Sequence, residues 1–101
     1  MATRLKPEVR KAEILEAALI AARKMGFAAV RQKDIADQAK CGFGTVSLYF
    51  STMKQMRRAI MRAAVERQDL QLIAQGLGIG DSDARKAPEP IKLKAIALLT
   101  L

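Results

Sequence analysis

Histidine and tryptophan are absent from this chain, cysteine occurs once, and aromatic residues make up only 4% of it. The lone cysteine, Cys41, allows no disulfide within the chain and no thiolate metal cluster. Without histidine, zinc ligation of the usual kinds is excluded. Nothing is then at hand to activate Cys41 as a nucleophile, and it reads as a small turn residue. Paired carboxylates in an apolar setting are missing too, which leaves no acid–base site. The sequence therefore argues against an enzyme and requires no metal and no cofactor. Long hydrophobic runs are also lacking, for none approaches the roughly 20 residues that span a bilayer. The start, MATRLKPEVRKAE, is charged where a secretory signal is apolar. No membrane partner is expected, and a reducing cytoplasm is the expected location.

Acidic residues are the scarcity that says most. Only 10 Asp and Glu face 18 Lys and Arg, a formal net charge of +8 with a pI near 10.2. The expected partner is a polyanion or an acidic surface. The excess is entirely N-terminal: residues 1–65 carry 13 basic and 5 acidic side chains, whereas residues 66–101 carry 5 of each. No acid occurs between Gln38 and Val65, while Lys40, Lys54, Arg57, Arg58 and Arg62 are basic. A surface tuned only for solubility mixes both signs. A plainly solvated basic face is the other reading of this stretch. With 101 residues, half of them hydrophobic, the chain can pack one small core and not two.

What is present is helical. Pro7 and Glu8 suit the opening of a helix, and KAEILEAALIAARKM continues it with strong helix formers to Met25. Leu15, Ala18, Leu19 and Ala22 form its buried stripe; Gly26 stops it, and Phe27 is expected to fold back onto the stripe. A second helix is expected over 32–39, with Ile35, Ala36 and Ala39 facing inward, and a short third one over 44–50. Thr52 with Gln55 reads as a capping box for a fourth helix. That helix carries Met56, Ile60, Ala63 and Ala64 on one face, and the spacing of Leu70, Ile73 and Leu77 extends it towards Gln75. GLGIGDSDARKAPEP, residues 76–90, reads as a linker or loop. The apolar tail IKLKAIALLTL fits either a strand or a helix, and helix is favoured because no strand is available to pair with it. The expected fold is all-α: a three-helix helix-turn-helix domain, a longer fourth helix and a short apolar C-terminal helix.

Residues 32–50, QKDIADQAKCGFGTVSLYF, have what a DNA-reading element requires. A supporting helix is pinned by Ile35 and Ala39, a tight turn follows at Lys40–Gly42, and the next helix turns Val46 and Phe50 inward. Phe43, Thr45, Ser47, Leu48 and Tyr49 include the candidates for its outer face. The segment GFAAVRQKDIADQAKCGFGTVSLYFSTMKQM resembles the DNA-binding domain of the TetR family of bacterial repressors. That family shows a first helix ending in Gly-aromatic, then a pattern like D-I-A-x-x-A-G-V-S-x-G-T-L-Y-x-Y-F-x-x-K-x-x-L. Gly26, Phe27, Asp34, Ile35, Ala36, Ala39, Gly44, Thr45, Tyr49 and Phe50 match it, with conservative variants at Val46 and Met56. The likeness covers roughly residues 8–65. Departures cluster on the surface that would meet DNA: Lys40 replaces the turn glycine and Gly42 the polar cap. Phe43 and Ser47 replace a frequent lysine and a frequent tyrosine, and Met53 replaces the lysine that opens the fourth helix, with Lys54 beside it.

The resemblance implies a set of DNA contacts. Lys33 matches a position that meets phosphate or a base edge, Thr45 and Tyr49 match phosphate-contacting positions, and Phe43, Ser47 and Leu48 match groove-facing ones. Phe43 and Leu48 would then be placed to touch thymine methyls. Lys54 would stand in for the missing lysine. Lys40 and Gly42 of the turn, and Gly44 at the head of the third helix, are the remaining candidates for contact with DNA. Each residue has a plainer reading: Phe43 covering the core, Tyr49 packing within it, Leu48 in a protein contact, and Lys33, Lys54, Arg57, Arg58 and Arg62 as solvated side chains.

The larger ligand-binding domain that accompanies this element in the family has no room in residues 66–101, so no small-molecule effector is expected. Those residues read instead as helix extension, linker and apolar tail, with Leu70, Ile73, Leu77, Ile91, Leu98 and Leu99 as the expected dimer contacts. Closure over the chain's own core is their other reading. The function expected is a homodimeric, nucleoid-associated regulator of transcription that binds operator sites in double-stranded DNA, most simply a repressor. The alternative is a truncated TetR-like interaction module that heterodimerises with a full-length regulator and inhibits it.

Overall fold

The computed structural model describes residues 6–99. The first five residues of the charged start, and Thr100 and Leu101 of the apolar tail, lie outside them. The described chain is all-α, in the order α1 (Pro7–Met25), α2 (Gln32–Ala39), α3 (Phe43–Tyr49), α4 (Met53–Glu66), α5 (Leu70–Gly78), α6 (Ser82–Arg85) and α7 (Glu89–Leu99).

The first half follows its sequence signals closely. Pro7 stands at the start of α1, and Arg23 and Lys24 lie in its last turn. Gly26 takes φ +99° while its N–H donates to the Ala22 carbonyl at 2.8 Å. Phe27 is then fully buried, with Ala18, Leu19 and Ala22 of the expected stripe, whereas Leu15 is only partly buried and Ile14 takes the inner place. At α4, half of the expected capping box forms: Thr52 Oγ1 accepts from the Gln55 N–H at 3.1 Å. The Gln55 side chain reaches one residue further back, accepting from the Ser51 N–H at 3.2 Å and its hydroxyl at 2.8 Å. Met56, Ile60, Ala63 and Ala64 are buried as one face.

The second half differs from the expectation of one long helix. After Glu66 the chain turns back: Gln68 adopts φ +54°, the Gln68 N–H donates to Val65 O at 3.2 Å, and the Asp69 N–H donates to Ala64 O at 2.8 Å. This pair of bonds is the Schellman turn that ends helices, with glutamine in the place usually held by glycine. Asp69 at once caps α5, its carboxylate accepting from the Leu72 N–H at 3.3 Å. The same carboxylate pairs with Arg23 at 2.6 Å, fastening the start of α5 to the end of α1. Gln75 Oε1 accepts the Phe27 N–H at 2.6 Å and so holds the α1–α2 corner against α5.

Segment 76–90 is likewise more ordered than a linker. Gly76 lies inside α5, where an added Cβ would come within 2.9 Å of the Ala84 Cβ and collide with the Met61 side chain. That glycine lets α4, α5 and α6 approach closely, and it does not break the helix. Asp81 caps α6 through the Ala84 N–H at 2.9 Å. The tail is the helix α7, packed on α5 and burying Ala95.

A single hydrophobic cluster results, running from Ile14, Phe27, Ile35 and Val46 through Met56 and Ile60 to Leu72, Ile73, Ala84 and Ala95. It continues without a break past position 65. Burying each of its large side chains contributes about 1.5–3 kcal/mol. Ile73 is wholly inside this core, so it is not available to a second subunit. Leu70, Leu77 and Ile91 pack partly buried against it, whereas Leu98 and Leu99 stand exposed on α7 beside Leu93 and Ile96.

Candidate nucleic-acid interface

The corner between α2 and α3 begins at the entry to α2. The Arg31 N–H donates to Asp34 Oδ2 at 2.9 Å, which fixes the first turn. At the far end Lys40 adopts φ +56°, ψ +46°. Its N–H donates to Asp37 O at 3.3 Å and the Cys41 N–H to Ala36 O at 3.0 Å. This is a second Schellman turn, again without glycine. Its conformation is one that L-residues occupy at a cost of about 1–2 kcal/mol. Cys41 is half-buried against the core behind the turn. Gly42 follows in extended conformation, φ −76°, ψ 156°, and caps α3 through its carbonyl, which accepts from the Thr45 N–H at 3.1 Å.

Two devices set the orientation of α3. Val46 and Phe50 sink into the core, and the Lys11 ammonium lies 5.3 Å from the centroid of the Phe50 ring. Gln32 supplies the second device, for which the sequence gives no signal beyond a helix start. Its Nε2 donates to the Phe50 carbonyl at 3.0 Å, while its Oε1 accepts from the Ser47 hydroxyl at 3.5 Å. One side chain at the head of α2 thereby holds the second half of α3.

With those contacts made, α3 turns Phe43, Gly44 and Leu48 outward. Phe43 is 56% exposed and Leu48 is 78% exposed. The first therefore does not cover the core, and the second stands clear of it. Thr45 and Ser47 are half-buried, and Tyr49 packs its ring against the core while staying partly accessible. Gly42 and Gly44 are exposed, and a Cβ on either would meet nothing within 4 Å. No steric need of the protein itself calls for glycine there.

Charge surrounds this face at both ends. Lys40 leads into α3, Lys54 lies in the first turn after it, and Lys33 neighbours the Gln32 clamp; all three are exposed. Neither these lysines nor Arg58 form an ion pair among the described residues. Two members of the basic stretch are engaged within the protein instead. Arg62 pairs with Asp83 at 3.4 Å, and Arg57 donates to the Ala28 carbonyl at 3.4 Å. Away from this face, Arg67 bonds Glu16 and holds its carboxyl below the ordinary carboxylate range. Among the described residues no group of three or more His, Cys, Asp or Glu is placed to hold a metal ion. No described helix is long and apolar enough to cross a membrane.

A supporting helix, a tight turn and a second helix seated by two buried residues with its outer face free make a helix-turn-helix domain. Comparison with known proteins agrees. The chain is 37% identical over 57 residues to an uncharacterized HTH-type transcriptional regulator, YfiR, of Bacillus subtilis (strain 168). The match takes in 56% of this chain but only 28% of that protein, so the chain spans well under a third of its relative's length. No family model matches, and no solved structure does.

Proposed function

We propose that this chain is a DNA-binding regulator of transcription that docks α3 in the major groove of duplex DNA. We propose further that it acts as a homodimeric repressor whose first 65 residues are of TetR type. One observation carries the reading: the outer face of α3 is exposed and has cations free of carboxylate partners before it, after it and beside its clamp. A polyanion with a groove wide enough for a helix satisfies both features, and duplex DNA is such a partner. The likeness to an HTH-type regulator over 57 residues supports it.

In this account Lys33, Lys40, Lys54 and Arg58 take phosphates, and the hydroxyls of Thr45 and Tyr49 add backbone bonds that fix register without reading sequence. The exposed Leu93, Ile96, Leu98 and Leu99 of α7 supply apolar surface for a second copy. That same surface also favours the second reading, a module that pairs with a longer regulator and inhibits it. Selection of bound fragments from random duplex DNA separates the two. The homodimer reading expects two inverted half-sites about one helical turn apart. Enrichment of a single undivided site removes the dimer, and no recovered DNA at all leaves the pairing module. Thr45→Ala and Tyr49→Phe, which spares the packed ring, should each weaken binding to every sequence alike. A change confined to the selected site would remove their phosphate roles.

A further inference from the structure

α3, FGTVSLY, contains no Arg, Lys, Asn, Gln, Asp or Glu, so it lacks every side chain that reads a base edge with a pair of hydrogen bonds. Its hydroxyls are poorly placed to compensate. Ser47 is turned to Gln32, and Thr45 and Tyr49 are half-buried along the flank. What the helix presents furthest into solvent is hydrocarbon: Leu48 at 78% exposure, the greatest among the exposed large hydrophobics described, and Phe43 at 56%. Gly44, in the same first turn as Phe43, adds no side chain to hold an opposing surface away.

An apolar spot of this kind commonly docks a protein, but its surroundings oppose that here. Lys40 and Lys54 bracket α3 and neither forms an ion pair among the described residues, although Asp81 and Asp83 lie on the far side of Lys54. The partner must therefore be anionic around the rim and apolar at discrete points within. The major groove has one apolar group, the C5-methyl of thymine, and 5-methylcytosine carries the same methyl at the same place. We infer that Phe43 and Leu48 make this protein a reader of pyrimidine C5-methyl groups, so that its specificity comes from methyl contact and not from paired hydrogen bonds. The inference rests on the DNA-binding reading above. It makes two demands on the recognised site: thymines at the α3 contact positions, and tolerance or preference for methylated cytosine there.

The test uses the full chain and the duplex recovered by selection, prepared once with thymine and once with uracil, which pairs identically and lacks only the methyl. Random-sequence duplexes of both kinds serve as the reference for binding through the backbone. Burial of one methyl group corresponds to roughly a four-fold change in affinity. The uracil form of the selected site is thus expected to bind about four-fold more weakly per contacted methyl, with a smaller difference between the random duplexes, whose contact positions hold thymine only by chance. Replacing cytosine by 5-methylcytosine at a contacted position should gain a similar factor. In Phe43→Ala and Leu48→Ala the ratio of affinities for the thymine and uracil forms should shrink towards one, whatever the overall loss of affinity. Equal affinity for the thymine and uracil forms of the selected site overturns the methyl reading and leaves DNA binding intact. So does a selection that enriches no sequence while random DNA is still bound. Failure to bind any duplex overturns both.

Discussion

Replacing Lys40 by glycine separates the geometry of the α2–α3 turn from its charge. Lys40 sits at φ +56°, ψ +46° and closes the turn through backbone bonds of 3.3 and 3.0 Å, none of which needs its side chain. The left-handed conformation costs an L-residue about 1–2 kcal/mol. Glycine removes that cost but gives back about 0.5–1 kcal/mol through the greater freedom of the unfolded chain. The net expectation for Lys40→Gly is a gain of about 0.5–1 kcal/mol, which raises Tm by roughly 2–8 °C in a domain of this size. Lys40→Ala is the control, since alanine keeps the left-handed penalty and loses the charge. Thermal unfolding followed by far-UV circular dichroism reads the first effect. Anisotropy of labelled random duplex DNA against salt reads the second, where losing one phosphate contact makes the slope of log affinity on log salt shallower by about 1. Both variants should show the shallower slope, and only the glycine variant the higher Tm. An unchanged or lower Tm for Lys40→Gly refutes the strained turn, and an unchanged slope in both variants refutes Lys40 as a phosphate ligand.

Three further outcomes follow from the packing and electrostatics. Gln32→Ala removes the bonds to the Phe50 carbonyl and the Ser47 hydroxyl, and should cost about 1–2 kcal/mol in urea unfolding. Its loss of DNA affinity should exceed what removing an uncharged side chain from the interface explains, because α3 loses its clamp. Gly76→Ala places a methyl within 2.9 Å of Ala84 and against Met61, and should destabilise by about 1–3 kcal/mol, a cost relieved in part by shortening Met61. Glu16, whose carboxyl the Arg67 guanidinium holds below its ordinary range, stabilises the fold above the unfolded pKa of glutamate. That contribution fades as pH falls through the lowered native value. The pair is exposed, so Glu16→Gln should lose no more than about 1 kcal/mol at neutral pH and show a smaller acid-induced drop in Tm than the parent chain.

The first three helices were legible in the sequence because their boundaries carry local chemistry. Pro7 opens α1, Gly26 closes it, and the turn at Lys40–Gly42 separates α2 from α3. The inward set of α3 followed from spacing, since Val46 and Phe50 are one helical turn apart and both buried. The break between α4 and α5 was not legible, because the left-handed residue that makes it is Gln68, a type that does not advertise that conformation. Asp69, a good cap before an apolar run, was the one available signal. Gly76 misled for the opposite reason. A glycine read as a breaker turns out to be a contact surface, and only the neighbours Met61 and Ala84 reveal it. The role of Gln32 was similarly beyond reach, since it depends on where the end of α3 lies in space. Whether Phe43 points inward or outward also had to be read from the packing, because an aromatic residue in a first helical turn suits either.

The face of α3 and its flanking cations are proposed to meet nucleic acid. Titrating labelled random-sequence duplex DNA with the full chain over a series of salt concentrations tests this most directly. Binding is expected at roughly micromolar protein in low salt, with log affinity falling linearly against log salt by about 0.9 for each phosphate neutralised. Lys33, Lys40, Lys54 and Arg58 should each contribute to that slope. No binding in this range, or binding that salt does not weaken, contradicts it.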